Sequence, residues 1–244
     1  MIFTPSRRRG FEYLDLPDVE PGLAERSIGD VTVANRLFGG TRAVLTELDA
    51  VLPVLGSAAT LLDVGTGLGD IPAQAAARAA RRGVELRTVG LDAAEELARA
   101  SRRHGGWSVC GDAMRLPFAD RSVDVVTCSQ LLHHFTETDG ARLLAELHRV
   151  ARRRAIVCDL RRSYVAAAGF WAASWPLGFY RVTRHDGVVS VMRGFTTTEL
   201  RALVAGAVGA TPTVRRRLGW RITASWEPGA RPGANDEGDD ASSE

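Results

Sequence analysis

Leu61-Leu62-Asp63-Val64-Gly65-Thr66-Gly67-Leu68-Gly69-Asp70 decides how the rest of this chain is read. An apolar run ends in an acid, three glycines then alternate, and Pro72 opens an alanine-rich helical segment. Glycine lets the backbone turn sharply and approach a ligand, because no Cβ intervenes. The stretch predicts a strand, a ligand-cradling turn and a helix N-terminus with unsatisfied N–H groups. Two phosphate-binding signatures are excluded. A dinucleotide fingerprint needs glycine in the sixth place, which Asp70 fills with a charge opposed to a diphosphate. A P-loop needs Gly-Lys-Ser/Thr, and this chain contains no lysine.

Outward from that stretch, Val89-Gly90-Leu91-Asp92 is a second apolar run ending in an acid, 29 residues beyond Asp63. This spacing suits the next parallel strand after one crossover helix, and such an acid can accept hydrogen bonds from ribose hydroxyls. Three further segments follow in order: Cys110 to Phe118, Ser122 to Phe135, and Ala155 to Leu160. Together, from about Leu61 to Leu160, they resemble the class I S-adenosylmethionine (SAM)-dependent methyltransferases of small-molecule type, similar to methyltransferase domains 11 and 25. The resemblance implies SAM as cofactor, held around Asp63, Gly65, Thr66, Gly67 and Gly69. It further implies Asp92 on the ribose, Asp112 on the adenine amino group, Ala113 against the ring and Gln130 at the fourth strand's exit. A plainer reading stays open beside it. Asp92 and Asp112 sit where they would cap adjacent helices, and Asp63 where it would hold loop amides.

Helical patterns at Leu23–Phe38, Thr41–Leu55, Ile71–Arg82, Ala93–His104 and Asp139–Ala151 alternate with these strands, and Gly83 and Gly105 act as stops. Thr196-Thr197-Thr198-Glu199 offers a capping box for a helix reaching Val208. Thr213–Leu218 and Trp220–Trp226 read as a final pair of strands, the second alternating with a period of two. The expected fold is α/β: a doubly wound, seven-stranded, mostly parallel Rossmann-like sheet with N-terminal helices and a helical substrate-cap insertion. Expected boundaries are 1–55 for an N-terminal helical cap and 56–227 for the SAM-binding methyltransferase domain, with the insertion at about 163–195. Residues 228–244 form an acidic, Pro/Gly/Asp/Ser-rich tail expected to be disordered.

Composition narrows the function classes. Net charge is +2, and the tail carries one arginine against five acids. Arginine clusters at Arg7–Arg9, Arg152–Arg154 and Arg215–Arg217 lack interleaved aromatics, so nucleic-acid binding is not expected. Arg152–Arg154 are read as cations at a helix C-terminus, and Arg215–Arg217 as exposed charge on an edge strand. Cys110, Cys128 and Cys158 lack C-x-x-C spacing and are read as reduced core thiols of a cytoplasmic protein. No apolar h-region follows the early arginines. Tyr164 to Tyr180 is apolar but short and interrupted by Pro176, so no membrane span is expected. Phe170, Trp171, Trp175 and Phe179 there suggest an aromatic wall for a flat, apolar acceptor. Arg184-His185-Asp186 and Arg193 add polar groups to the same region.

His133 and His134 follow the fourth strand, at the sheet edge that faces the ligand crevice. Histidine titrates near neutrality, which suits removing a proton from a phenol or enol. In extended chain the two rings would point to opposite sides. Leu131-Leu132-His133-His134-Phe135 resembles a region of phenolic O-methyltransferases in which histidine is the base, and the resemblance selects His133. No Asn/Asp-Pro-Pro-Tyr/Phe follows strand four, which argues against amino acceptors, and no metal is expected. The function expected is methyl transfer from SAM to an oxygen of a small aromatic or polyketide-like metabolite. Alternatives are C-methylation of a quinone or polyketide, a non-catalytic SAM-binding role, and nicotinamide oxidoreduction, which Asp70 disfavours.

Overall fold

Apolar runs that end in acids become neighbouring strands of one sheet. The computed structural model describes residues 4–8, 10–16, 20–104 and 106–229. Its strands are β1 (Ala58–Val64), β2 (Glu85–Asp92), β3 (Trp107–Cys110), β4 (Val123–Ser129), β5 (Ala151–Leu160), β6 (Thr213–Arg217) and β7 (Arg221–Trp226). They lie in the order β3-β2-β1-β4-β5-β7-β6, with β7 antiparallel to both neighbours and the remaining pairs parallel. The direction of winding reverses between β1 and β4, which opens a crevice at the carboxyl ends of those strands. The helices are α1 (Pro21–Leu37), α2 (Gly40–Val51), α3 (Asp70–Ala80), α4 (Glu95–Ser101), α5 (Glu137–Val150), α6 (Tyr164–Ser174), α7 (Arg181–Arg193) and α8 (Thr197–Val208). The seven-stranded α/β fold expected from the sequence is the one observed.

Side-chain alternation explains how helices cover both faces. Leu61, Val125 and Ile156 pack with Leu48 of α2 and Ala75 of α3. Leu62, Val126 and Val157 pack the other way, against Leu143 and Leu147 of α5 and Leu200 of α8. Burial on both faces is why these strands read as near-continuous apolar runs. The capping box of α8 is present: Glu199 N–H donates to Thr196 Oγ1 at 3.2 Å, and Thr196 N–H to Glu199 Oε2 at 2.8 Å. The helix expected to reach Leu55 ends at Val51, and Leu52–Val54 form a 3₁₀ turn containing Pro53, which cannot donate an i→i−4 bond.

Several local expectations change. Arg152 and Arg154 lie inside β5, not at a helix end; Arg152 pairs with Asp124 at 3.0 Å and Arg154 with Glu227 at 2.6 Å. Arg215 and Arg217 do lie on the edge strand, yet both reach across β7 to Glu47, a buried acid of α2. Cys128 and Cys158 are buried core thiols as expected, whereas Cys110 is exposed on β3, the other edge strand. Gly105 and residues 230–244 of the expected tail lie outside the described residues.

The apolar segment after β5 forms α6 and then turns into α7, and residues 10–16 run across α7. Asp186 accepts hydrogen bonds from the Tyr13 and Leu14 amides, each at 3.0 Å. Arg162, buried beneath, donates to Pro5 O at 2.7 Å and pairs with Glu199 at 2.7 Å. The Arg184-His185-Asp186 and Arg193 groups thus belong to a packed helix rather than a solvated loop. Among the described residues, no helix is long and apolar enough to cross a membrane.

Candidate active site

The β1–α3 turn is shaped by backbone. Gly65, Gly67 and Gly69 have φ of 72°, 55° and 80°, a region that side chains rarely enter. The Gly65 and Thr66 amides donate to Leu91 O at 2.8 and 3.0 Å, which ties the turn to β2. A Cβ on Gly65 would stand 2.8 Å from Leu131 Cδ2, so only glycine leaves the crevice open there. Asp92 braces the same turn: Oδ2 accepts from Gly67 N–H at 2.9 Å and Oδ1 from Ala94 N–H at 3.0 Å. Burial raises the Asp92 pKa above the usual carboxylate value, and the Ala94 and Gly67 amides pull it back. Each oxygen keeps a second lone pair for a ligand hydroxyl. A cradle that a Cβ would fill, next to a carboxylate with spare acceptors, fits the amino-acid end and ribose of SAM.

The other expected cofactor residues divide. Asp63 is 1 % exposed and accepts from Thr127 Oγ1 at 2.6 Å, beneath the turn rather than in the crevice. Burial pushes its carboxyl up to about 7, against the pull of the Thr127 hydroxyl. Thr66 is buried against Gly90, where a Cβ would meet its Cγ2 at 2.7 Å. Asp112 is exposed and accepts from Met114 N–H at 2.8 Å within a turn; no helix begins there, so the helix-capping expectation is corrected to a turn brace, while Ala113 packs on the core beneath it. Gln130 has a positive φ of 53°; its amide nitrogen donates to Asn35 Oδ1, and it lines a cavity of about 690 Å³.

That cavity extends under α6 and α7 and also receives His133, His134, Phe170 and Trp220. Of the expected aromatic wall, Phe170 faces it and Phe179 is buried, whereas Trp171 and Trp175 point to solvent. His133 and His134 are not in extended chain. A 3₁₀ turn over Leu132–His134 brings both rings to the same side, with centroids 4.3 Å apart. His133 is 4 % exposed; its Nδ1 lies 2.7 Å from Asp159 Oδ1, and its own amide donates to Asp159 Oδ2 at 3.1 Å. Burial raises the Asp159 pKa, but the His133 contacts outweigh it and hold the carboxyl below its ordinary value. An ionised carboxylate only accepts, so Nδ1 carries a hydrogen, and in the neutral ring the lone pair is then on Nε2. Nε2 is buried with no hydrogen-bond partner among the described residues.

His134 Nδ1 lies 2.8 Å from Asp15 Oδ1, and Arg193 joins Asp15 at 2.7 Å and Glu12 at 2.9 Å. Glu12, His133 and His134 also place ligand atoms within 4.8 Å of one another, a set the sequence did not reveal. The Arg193 guanidinium already supplies the positive charge beside it. Asp159, Glu12 and Asp15 escaped the sequence reading, which placed Arg193 among the polar groups of the cap but not its partners. Only Asp159 carried a usable signal, an acid near the end of an apolar strand, the same signal that picked out Asp63 and Asp92.

Residues 62–158 match a family model described as a methyltransferase domain. A ubiquinone/menaquinone biosynthesis C-methyltransferase from Dinoroseobacter shibae is 41 % identical over 105 residues, covering 39 % of each chain. A demethylmenaquinone methyltransferase from Thermotoga maritima is 33 % identical over 96 residues, covering 38 % of this chain and 39 % of its own. The chain thus spans about two fifths of the length of these relatives. In fold, it superposes on a SAM-dependent methyltransferase from Aquifex aeolicus with TM-score 0.57 at 18 % identity, covering 82 % of this chain and 96 % of the other.

Proposed function

Because the chain carries a class I SAM-dependent methyltransferase domain, we propose that it methylates a small hydroxylated aromatic acceptor of quinol type, with His133 as general base. The observation that carries this reading is the buried His133–Asp159 pair: His133 lines the cavity, and its Nε2 has no hydrogen-bond partner among the described residues. When bound, SAM supplies an activated methyl group on a sulfonium. The protein supplies the rest. Gly65, Gly67 and Asp92 hold the nucleoside, and the apolar walls around Phe170 exclude water. His133 Nε2 takes the acceptor hydroxyl proton, and Asp159 steadies the imidazolium that results. Positioning contributes most, on the order of 7–11 kcal/mol, and the base about 10²–10⁴ in rate.

Removing that proton serves two outcomes, since a phenolate is nucleophilic at oxygen and at ring carbon. The quinone C-methyltransferases among the relatives favour carbon. The likeness of Leu131–Phe135 to phenolic O-methyltransferases keeps oxygen as the second reading. Incubation with labelled SAM and a panel of hydroquinones, phenols and polyketides tests both, with mass spectrometry locating the methyl. We expect a ring-methylated hydroquinone. Binding of S-adenosylhomocysteine (SAH) without any labelled product would leave a non-catalytic role, and folded protein giving no calorimetric heat with SAH would end the proposal.

A further inference from the structure

Arg221 begins β7 with its Nε directed at the start of α2. It is 5 % exposed and lines the cavity. Its guanidinium makes no hydrogen bond or ion pair with any described residue, and Nε is buried without a partner. The acids nearby are spent elsewhere. Glu47 on α2 takes Arg215, Arg217 and the Thr223 hydroxyl, and Asp159 takes His133 and the Leu160 amide. Burial lowers the Arg221 pKa, and the nearby Asp159 charge, which makes no hydrogen bond or ion pair with it, pulls it back only in part. An arginine stays charged even so, and a buried charge without a partner is costly.

What surrounds it is suited to an anion. A Cβ on Gly40 would lie 3.1 Å from Asn35 Oδ1, 3.1 Å from Gln130 Nε2 and 3.3 Å from Arg221 Nε, so glycine keeps this corner open. Gln130 donates to Asn35 Oδ1, which leaves the Asn35 amide hydrogens for another acceptor. Helix α2 starts at Gly40 behind Gly39, and no side chain caps it, so its positive end faces the same corner.

We propose that Arg221, Asn35 and the N-terminus of α2 form a carboxylate-binding site in the cavity, filled by the amino-acid end of the cofactor or by an acidic group on the acceptor. The site rests on the methyltransferase reading for its occupants but makes a separate claim about charge. Three features converge on it: an unpaired buried guanidinium, an amide with hydrogens to donate and an uncapped helix.

Calorimetry on the full chain compares two ligand pairs: SAH with its decarboxylated analogue, and 4-hydroxybenzoate with 4-hydroxybenzyl alcohol. The wild type should prefer the carboxylate-bearing member of one pair by about ten- to a hundredfold, the strength of a charge-assisted bond. The first pair identifies the cofactor as source, the second the acceptor. Arg221→Met should erase that preference and leave the ligand-free Tm equal or higher, because an unpaired charge is gone. A merely structural arginine would lower it. Asn35→Asp offers a second route: an internal carboxylate beside Arg221 should raise Tm and weaken the preferred ligand. A wild type indifferent to both pairs, or an Arg221→Met protein that keeps the preference, would overturn the site. A wild type that fails to bind SAH would instead overturn the methyltransferase reading, with the aryl pair, measured without nucleoside, still deciding the site.

Discussion

The two ends of the crevice are built by different means. The end formed by β1, β2 and the glycine turn is made of backbone: positive φ values, amides given to Leu91 O, and an Asp92 carboxylate that holds the turn from the next strand. The end beneath α7 is made of side chains brought from far apart. His133 meets Asp159 across 26 residues, and Arg193 meets Asp15 across 178. One end depends on what is missing from glycine, the other on which charges find each other. On the proposed function this difference separates binding from chemistry, and each variant below loads one end and spares the other.

The largest effect is expected at the side-chain end. His133→Gln should lower kcat by about 10²–10⁴ while leaving SAH affinity unchanged, as single-turnover kinetics beside calorimetry would register. A fall in both would erase the distinction between the two ends. At the backbone end, Asp92→Ala should weaken SAH by roughly a hundredfold, since two hydroxyl bonds to a carboxylate contribute about 3 kcal/mol. An unaltered Kd would return Asp92 to the role of a turn brace alone.

The smallest effect is in the pH dependence of stability, where the two ends should respond with opposite sign. Asp63 keeps its proton to about 7 in the folded chain, whereas an unfolded Asp loses it near 3.8. The folded state then binds more protons between those values, so this group's contribution to stability falls as pH rises from about 4 to 7. Asp15 is the reverse. Burial would raise its pKa, but His134 and Arg193 hold it at about 2, so its contribution is present above about 4 and lost as pH falls toward 2. Thermal melts from pH 4 to 7 should show Asp63→Asn gaining on the wild type toward pH 7 by at least about 1 kcal/mol, roughly 2–4 °C. Parallel melting curves would remove Asp63 as a buried, protonated group.

The same division explains what the sequence could tell. Strands, turn and crossover helices were legible because each is a local pattern: apolar runs, alternating glycines, a capping box. Gly65, Gly67 and Asp92 were found by that route, and so was the position of His133. The partners were not. Nothing local in Glu12 or Asp15 says that Arg193 will fold over them, and the 3₁₀ turn that puts both histidines on one side replaced the alternation expected of extended chain. Arg152–Arg154 misled for a related reason: a basic cluster after a helix looks like a C-terminal cap until β5 is seen to begin at Ala151.

One consequence of the sheet has direct bearing on the proposed base. Ser129 of β4 is paired with Cys158 of β5, and the His133 turn leaves one strand just beyond the point where Asp159 sits on the other. The alignment of the proposed base with its carboxylate is therefore carried by the hydrogen-bond ladder between two central strands and not by a flexible loop. Side chains alternate along a strand, so sliding β5 by a single residue would turn the carboxylate to the opposite face and put a thiol or a leucine in its place. Any engineering that lengthens or shortens the α5–β5 junction would thus disturb the proposed base before it disturbed the glycine turn.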